Sequence, residues 1–479
     1  MTDPIRARNP RTGEVNYEVD PPNESEVDNL ESRVRSAGRE WRERDLDQRL
    51  DALNQWWSEI EARQGALLDA LVADTGRRDV SQLEIDTVGS IIERVREQAP
   101  SVLAAEGKGQ SSVPFVRLDA QHVPYELATV IGPWNFPLLL TAIDAIPALA
   151  AGCAVITKPS EVTPRFIEPI QETIRAVPPL RDVLTFVPGG ESTGAILVDR
   201  GDAVAFTGSV ETGRAIANRT ATSLTPAFLE LGGKDPAVIL ESADLDLVTS
   251  AILWGATANS GQSCQSIERV YVHETRHDEF VERLTTKARS VDLAYPDFDD
   301  GELGPIIDID QVTTIQMHLD DAVSKGATVK CGGEIETHGG GRWVRPTVLT
   351  GVDHSMAVAT EETFGPVIPV MSFETVDAAV EQANDTTYGL SAAALAGTEE
   401  EALAVARRID AGAVSVNDVS LTAIIQEGEK QSFKRSGLGQ SRTGPRAISR
   451  FLRKKSLLVK TNAAPDPWWH DPDGNEGAE

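Results

Sequence analysis

Apolar residues recur at helical spacing among many charged ones over 26–44, 49–75 and 80–98, so the first hundred residues are predicted to be mostly helical. From 112 onward the spacing changes. Extended, β-branched runs at 113–118 and 121–125 predict a hairpin that projects from the body of the protein. Short apolar runs then alternate with helical stretches: Ala128-Thr129-Val130-Ile131, Ala154-Val155-Ile156-Thr157, 183–187 and 203–206. One helix is predicted to follow Asn135, and another to begin near Thr163-Pro164 with Pro in its first turn. Such alternation argues for a doubly wound parallel sheet, which binds ligands at the carboxyl ends of its strands. After Gly233 a second unit of this kind begins, with strands at 269–272, 369–373 and 413–416 and a helix over 399–408. The predicted fold class is therefore α/β, with two doubly wound domains. One comprises 1–111 and 126–232, and the other 233–427. Segment 112–125 is left as the projecting hairpin, and 428–479 as a closing segment that is irregular after Lys460.

Composition adds limits. A chain of 479 residues exceeds a single core and suggests about three domain-sized units. Its 41% hydrophobic and 25% charged residues are ordinary for a globular protein. The charge balance is not ordinary, with 74 acidic against 45 basic residues and a net charge of −29. Only 11 of the basic residues are Lys, leaving 34 Arg. Excess carboxylate with scarce Lys fits a halophilic chain, because concentrated salt screens self-repulsion. The plainer reading is an acidic protein of dilute cytosol. Either surface would repel phosphate backbones, which argues against nucleic acid as a partner.

Cys153, Cys264 and Cys331 are odd in number, far apart and without C-x-x-C spacing, as expected in a reducing compartment. No metal-binding cluster forms among them and the 7 His, so no metal site is expected. Met1-Thr2-Asp3-Pro4-Ile5-Arg6 lacks the apolar core of a signal peptide. The longest apolar stretch, 138–156, contains Asp144, Pro147 and Gly152, and so predicts a buried helix plus strand instead of a membrane span. A cytoplasmic location follows as the expectation.

Three words carry candidate chemistry. Cys264 sits in Asn259-Ser260-Gly261-Gln262-Ser263-Cys264-Gln265-Ser266, among small polar neighbours that suit a core residue poorly. Upstream lie Glu230-Leu231-Gly232-Gly233-Lys234 and Gly132-Pro133-Trp134-Asn135-Phe136-Pro137. Together they supply a thiol, a carboxylate and a side-chain amide, the parts needed to form and hydrolyse a thioester. Taken singly, each has a plainer role: a buried small hydrophobe, an ion-paired Glu, a helix cap. There is no G-x-G-x-x-G. Instead Phe206-Thr207-Gly208-Ser209-Val210-Glu211-Thr212-Gly213 leaves a strand and opens a helix. Gly208 permits close approach and Ser209 can cap, so the helix N-terminus can receive a pyrophosphate.

These words, with Lys158-Pro159-Ser160-Glu161 and Glu361-Glu362-Thr363-Phe364-Gly365-Pro366-Val367, closely resemble the aldehyde dehydrogenase superfamily, in order from about Arg11 to Lys460. The resemblance implies an NAD(P)-dependent enzyme that oxidises an aldehyde to its acid. It gives Cys264 the role of nucleophile, Asn135 that of oxyanion donor and Glu230 that of base for water. It makes the first domain NAD-binding and the second catalytic. It also assigns cofactor contacts to Trp134, Lys158, Ser160, Glu161, Gly208, Ser209, Gly213, Leu231, Gly232, Glu362 and Phe364. Glu161 would accept from the adenosine ribose hydroxyls and repel a 2′-phosphate, favouring NAD over NADP. The arm at 112–125 and a late strand near 455–460 would join copies into a homodimer or homotetramer. Two rivals stand beside this reading: a relative that passes the acyl group to coenzyme A, which Glu230 disfavours, and a non-catalytic NAD-binding member.

Some positions depart from the family pattern. Phe136, Leu139, Leu140 and Ile143 would form an apolar tunnel wall suited to an uncharged aldehyde, with Ser263 and Gln265 flanking the nucleophile. The late P-F-G-G-x-K-x-S-G word is replaced by Gln426-Glu427-Gly428-Glu429-Lys430-Gln431-Ser432-Phe433-Lys434-Arg435-Ser436-Gly437, from which no specific aldehyde follows. Asp144 stands where many relatives carry Lys, and Arg442 close to where they carry an acid. A buried Asp needs a partner, and two are open: Arg442, in a pair with the charges exchanged, or water and backbone in the tunnel.

Overall fold

The computed structural model describes residues 3–104 and 109–462. Two parallel-type sheets form its centre, as the alternation predicts. The first has six strands in the order Gly437–Leu438, Ala227–Glu230, Ala203–Thr207, Leu127–Ile131, Ala154–Lys158 and Leu184–Phe186. All neighbours are parallel except Gly437–Leu438, which runs antiparallel to Ala227–Glu230 with Gly437 opposite Glu230. Its central strands are buried at every position, as expected when helices cover both faces. The second sheet has seven strands, ordered Thr328–Cys331, Thr347–Thr350, Val367–Phe373, Ile267–His273, Asp235–Ile239, Ser391–Leu395 and Ala413–Val416. Only Thr328–Cys331 is antiparallel to its neighbour. The helix expected over 399–408 is Glu399–Ala406.

The N-terminal region departs from expectation in two ways. A hairpin of Ile5–Arg8 and Val15–Val19 precedes the helices. The helix expected over 49–75 is two, Leu46–Ala62 and Gln64–Thr75, because Arg63 leaves helical geometry at φ −119°, ψ 14°. Helices Glu24–Glu43 and Asp79–Leu103 flank them.

The expected hairpin at 112–125 is instead one strand, Val116–Pro124, that merges the two extended runs. Its partners are Gly109–Gln110 and, over nine residue pairs, Leu452–Lys460. The late strand near 455–460 is thus present and longer than predicted. The tail after Lys460 lies outside the described residues from 463 on. Among the described residues no helix is long and apolar enough to cross a membrane.

Two helix starts also move. The helix expected near Thr163-Pro164 begins at Ile167. The one after Asn135 spans Leu139–Ala151, and Asn135 does not cap it. Glu84, from helix Asp79–Leu103, takes that place: its Oε2 accepts from the N–H groups of Leu138 and Leu139 at 3.1 Å each. Arg77 pairs with Glu84 at 3.0 Å, so the buried carboxylate is compensated.

Candidate active site

Helix Leu245–Thr257 ends before an unusual turn. Asn259, Ser260 and Gly261 adopt φ of 55°, 56° and 73° in succession. Left-handed conformations in non-glycine residues cost on the order of 1–2 kcal/mol each and persist only where contacts hold them. Here Ser260 Oγ donates to Gly304 O at 2.8 Å and Gln262 Nε2 to Asn259 O at 3.0 Å, while Ile307 N donates to Gln262 Oε1 at 2.8 Å. At Gly261 a Cβ would lie 2.3 Å from the Gly365 carbonyl carbon, so only glycine fits. The turn that follows presents Cys264.

Cys264 opens on a cavity of about 120 Å³ whose walls include Trp134, Asn135, Leu140, Thr207 and Glu230. Gly208, Ser209, Leu231, Gly232, Glu362 and Phe364 complete most of the lining, with Gln311. Ten of the fourteen candidate residues therefore meet in one space. Lys158, Ser160, Glu161 and Gly213 do not line it. Lys158 ends the strand beside Leu127–Ile131, and its Nζ donates to Gly189 O at 2.6 Å, Pro159 O at 3.0 Å and Glu161 Oε2 at 3.3 Å. Gly213 lies inside helix Val210–Ser223, where a Cβ would strike Leu231 Cδ2 at 2.5 Å. Its bareness lets Leu231 pack against the helix. Of the expected tunnel wall, only Leu140 reaches the cavity; Phe136 stacks under the Arg77 guanidinium at 4.8 Å. A larger groove of about 480 Å³, lined by Tyr17, Arg33, Glu168 and Arg175 among others, holds none of the candidate chemistry.

Each side chain is held. Asn135, 3% exposed, donates from Nδ2 to Gln262 O at 3.0 Å. Glu230 ends the strand Ala227–Glu230, and Ser432 Oγ donates to its Oε2 at 2.7 Å. Ser209 caps its helix through Oγ, which accepts from Thr212 N at 3.2 Å. Gly233 N donates to Glu362 Oε1 at 3.1 Å, and a Cβ on Gly232 would collide with that carboxylate. The Glu362 loop is pinned from below. Lys234 Nζ donates to Glu268 Oε2 at 2.6 Å and to Thr363 Oγ1 at 3.0 Å, and Glu268 accepts from the N–H groups of Thr363 and Phe364 at 2.8 Å each. Phe364 meets the Trp134 ring edge-on with centroids 5.3 Å apart.

The electrostatics oppose easy ionisation. Burial pushes the Cys264 thiol up to about 12, with Glu362 and then Asp235 adding to the effect, and Arg442 and Lys430 offsetting part of it. Exposed surface ranks this residue as only half-buried, since one side opens on the cavity. Removal from bulk water and the exposure of one side to an enclosed space are compatible. Glu362 rises to about 8, first through burial and then through Glu268.

Asp144 and Arg442 do pair, at 2.6 Å. Arg450 binds the other oxygen of Asp144, and Arg442 also donates to Thr207 Oγ1 at 2.8 Å, which links the cluster to the cavity wall. Arg450 was not foreseen, and neither were Ser432 on Glu230, Gln311 in the lining or Lys430 beside Gln265. Lys430 and Ser432 belong to the segment that departs from the family word, and that departure was the signal they left in the sequence. Among the described residues no group of His, Cys, Asp and Glu could hold a metal ion.

Residues 2–457 match the Aldehyde dehydrogenase family. A putative succinate-semialdehyde dehydrogenase [NADP(+)] of Mycolicibacterium smegmatis is 35% identical over 440 residues, 91% of this chain and 85% of its own. Betaine aldehyde dehydrogenase of Beta vulgaris chloroplasts is 33% identical, covering 91% and 88%. The solved structure of the putative aldehyde dehydrogenase PutA from Anabaena variabilis superimposes with a TM-score of 0.96 at 53% identity, covering 98% of this chain and 100% of that one. Betaine aldehyde dehydrogenase from Staphylococcus aureus, in complex with NAD+, gives 0.92 at 29% identity, covering 98% and 94%. The chain belongs to the aldehyde dehydrogenase family and is an NAD(P)-dependent aldehyde oxidoreductase.

Proposed function

We propose that the protein oxidises an aldehyde to the free carboxylic acid through covalent intermediates on Cys264. The meeting of Cys264, Asn135 and Glu230 around one cavity is the observation that carries this reading. The Cys264 thiolate attacks the aldehyde carbon, and the carbonyl electron pair moves onto oxygen. Asn135 has one Nδ2–H bonded to Gln262 O. Its second N–H and the backbone N–H of Cys264 receive the oxyanion, each worth about 3 kcal/mol. NAD(P), when bound, supplies the nicotinamide that accepts hydride, and a thioester remains on Cys264. Glu230 then takes a proton from water as that water adds to the thioester carbon, and Cys264 leaves as thiolate. The Ser432 hydroxyl keeps the Glu230 carboxylate aimed.

The donor set suits a dinucleotide. The N-terminal N–H groups of Val210–Ser223, capped by Ser209, would meet the pyrophosphate. Glu362 would hold one ribose, with Gly232 leaving it room, and Trp134 and Phe364 would border the nicotinamide. Lys158, Ser160 and Glu161 would meet the other ribose. The charge of Glu161 supports NAD over NADP, although the names of relatives point both ways: NADP(+) in the mycobacterial protein, NAD+ in the staphylococcal complex.

We also assign 1–111 and 126–232 to cofactor binding and 233–427 to catalysis. The three-stranded arm would join a homodimer or homotetramer, and the location would be cytoplasmic. The net charge of −29 supports activity and thermal stability that rise toward molar salt. Full stability in dilute buffer would refute that last point.

A product assay tests the central reading. Aldehydes offered with NAD and no coenzyme A should yield NADH and free acid. A strict need for coenzyme A, with an acyl-CoA product, would replace it by acyl transfer.

A further inference from the structure

The segment that replaces the family's late word brings an ammonium group next to the nucleophile. Lys430 is half-buried, and its Nζ donates to Gln265 Oε1 at 3.2 Å and Thr422 O at 2.5 Å. Gln265 directly follows Cys264. An ammonium has three donors, and these two acceptors are neutral. The other buried cations around the site have anions: Arg442 has Asp144, Lys234 has Glu268 and Lys158 has Glu161. Among the described residues no carboxylate lies within ion-pair reach of Lys430, and Glu230, whose charge it senses, is bonded by Ser432 instead. A cation drawn from water with only neutral partners gains from an anionic ligand.

We propose that Lys430, with Gln265, recognises a carboxylate on the aldehyde substrate, so that the preferred class is an aldehyde acid and cationic aldehydes are disfavoured. This rests on the aldehyde-oxidising reading above and refines it. A substrate carboxylate would replace Gln265 Oε1 at Nζ, and the turned amide would give it an Nε2–H. The polar end then sorts substrates by charge.

The test compares kcat/KM for succinic semialdehyde, butanal of the same chain length and trimethylammonioacetaldehyde at one salt concentration. A charge-assisted hydrogen bond predicts about a 10- to 100-fold preference for the acid over butanal, mostly in KM. Lys430→Met should reduce that ratio to near one, and Lys430→Arg should keep most of it. Wild-type protein gives an independent reading, because succinate should compete with substrate and its uncharged diamide should not. Preference for butanal or the cation, equal inhibition by acid and diamide, or a ratio that survives Lys430→Met would overturn the proposal. So would an equal fall for all three aldehydes in that variant, since Lys430 would then serve Cys264 or Glu230. If wild type oxidised none of them, the aldehyde-oxidising reading would fall first.

Discussion

Cys153 and Cys264 occupy two regions that resemble each other in acidity and in little else. Burial pushes both thiols up to about 12. Cys153 is 0% exposed in the apolar cluster before strand Ala154–Lys158, and its Sγ faces Phe451 O at 3.8 Å. Cys264 opens on a cavity shared with an amide and a carboxylate. A raised pKa therefore marks neither as reactive. Access and neighbours separate them, and as the proposed nucleophile Cys264 would have to lose its proton to a partner that Cys153 lacks.

The sharpest way to break this comparison is to remove each thiol. Cys264→Ala should lower kcat by at least about 1,000-fold while dinucleotide binding persists, whereas Cys153→Ala should keep turnover within about two-fold. Steady-state NADH formation reads both. Comparable losses in the two variants would erase the distinction.

Asp144 joins the two regions, because its helix runs up to Cys153 while Arg442 acts on Cys264. The presence of Arg450 on Asp144 sets the order of effects. Removing Arg442 leaves a one-to-one pair, but Asp144→Asn leaves two buried guanidinium groups without an anion. Asp144→Asn should cost about 3–5 kcal/mol in urea unfolding and Arg442→Ala less. The reverse order would mean that Arg450 contributes little.

Glu230→Gln should still give one burst of NADH per site in rapid mixing, then stall with steady turnover down by about 100-fold or more. Loss of the burst in a folded variant would assign Glu230 to thiol activation as well. The smallest effect is a slope. In cofactor-free protein, iodoacetamide should modify Cys264 before Cys153, about tenfold faster per pH unit from 7 to 9, because the thiolate fraction keeps rising below the raised pKa. The same shift has a sign for stability. A thiol held protonated in the folded state favours folding below the ordinary thiol range and loses that contribution as pH climbs toward 12. Cys153→Ala should therefore flatten part of the alkaline decline in stability.

Much of this was legible in the chain. Period and length revealed the buried strands of both sheets, since runs such as Ala154–Ile156 are apolar throughout. Departures from the family pattern pointed to Asp144 and Arg442, and the rule that buried charge needs a partner offered their pairing. What escaped depends on residues far apart in sequence. Arg63 carries no breaker signal, and the chain bends there to send Leu67 and Leu71 inward. The run at 113–125 looked like a hairpin because it could be paired only with itself until Leu452–Lys460 was known to lie alongside. Glu84 caps a helix that begins more than fifty residues later. Lys430 and Ser432 sit in a polar segment without period, and tertiary contacts alone bring them to the site.

That late pairing has a consequence for biosynthesis. Strand Gly437–Leu438 borders the one that ends in Glu230, Arg442 and Arg450 neutralise Asp144, and Leu452–Lys460 closes on Val116–Pro124. A nascent chain whose first sheet has left the ribosome still has an open edge and an uncompensated carboxylate in its interior. The sheet that carries Glu230 therefore cannot mature strictly in the order of translation. It stays incomplete until Leu452–Lys460 has been made.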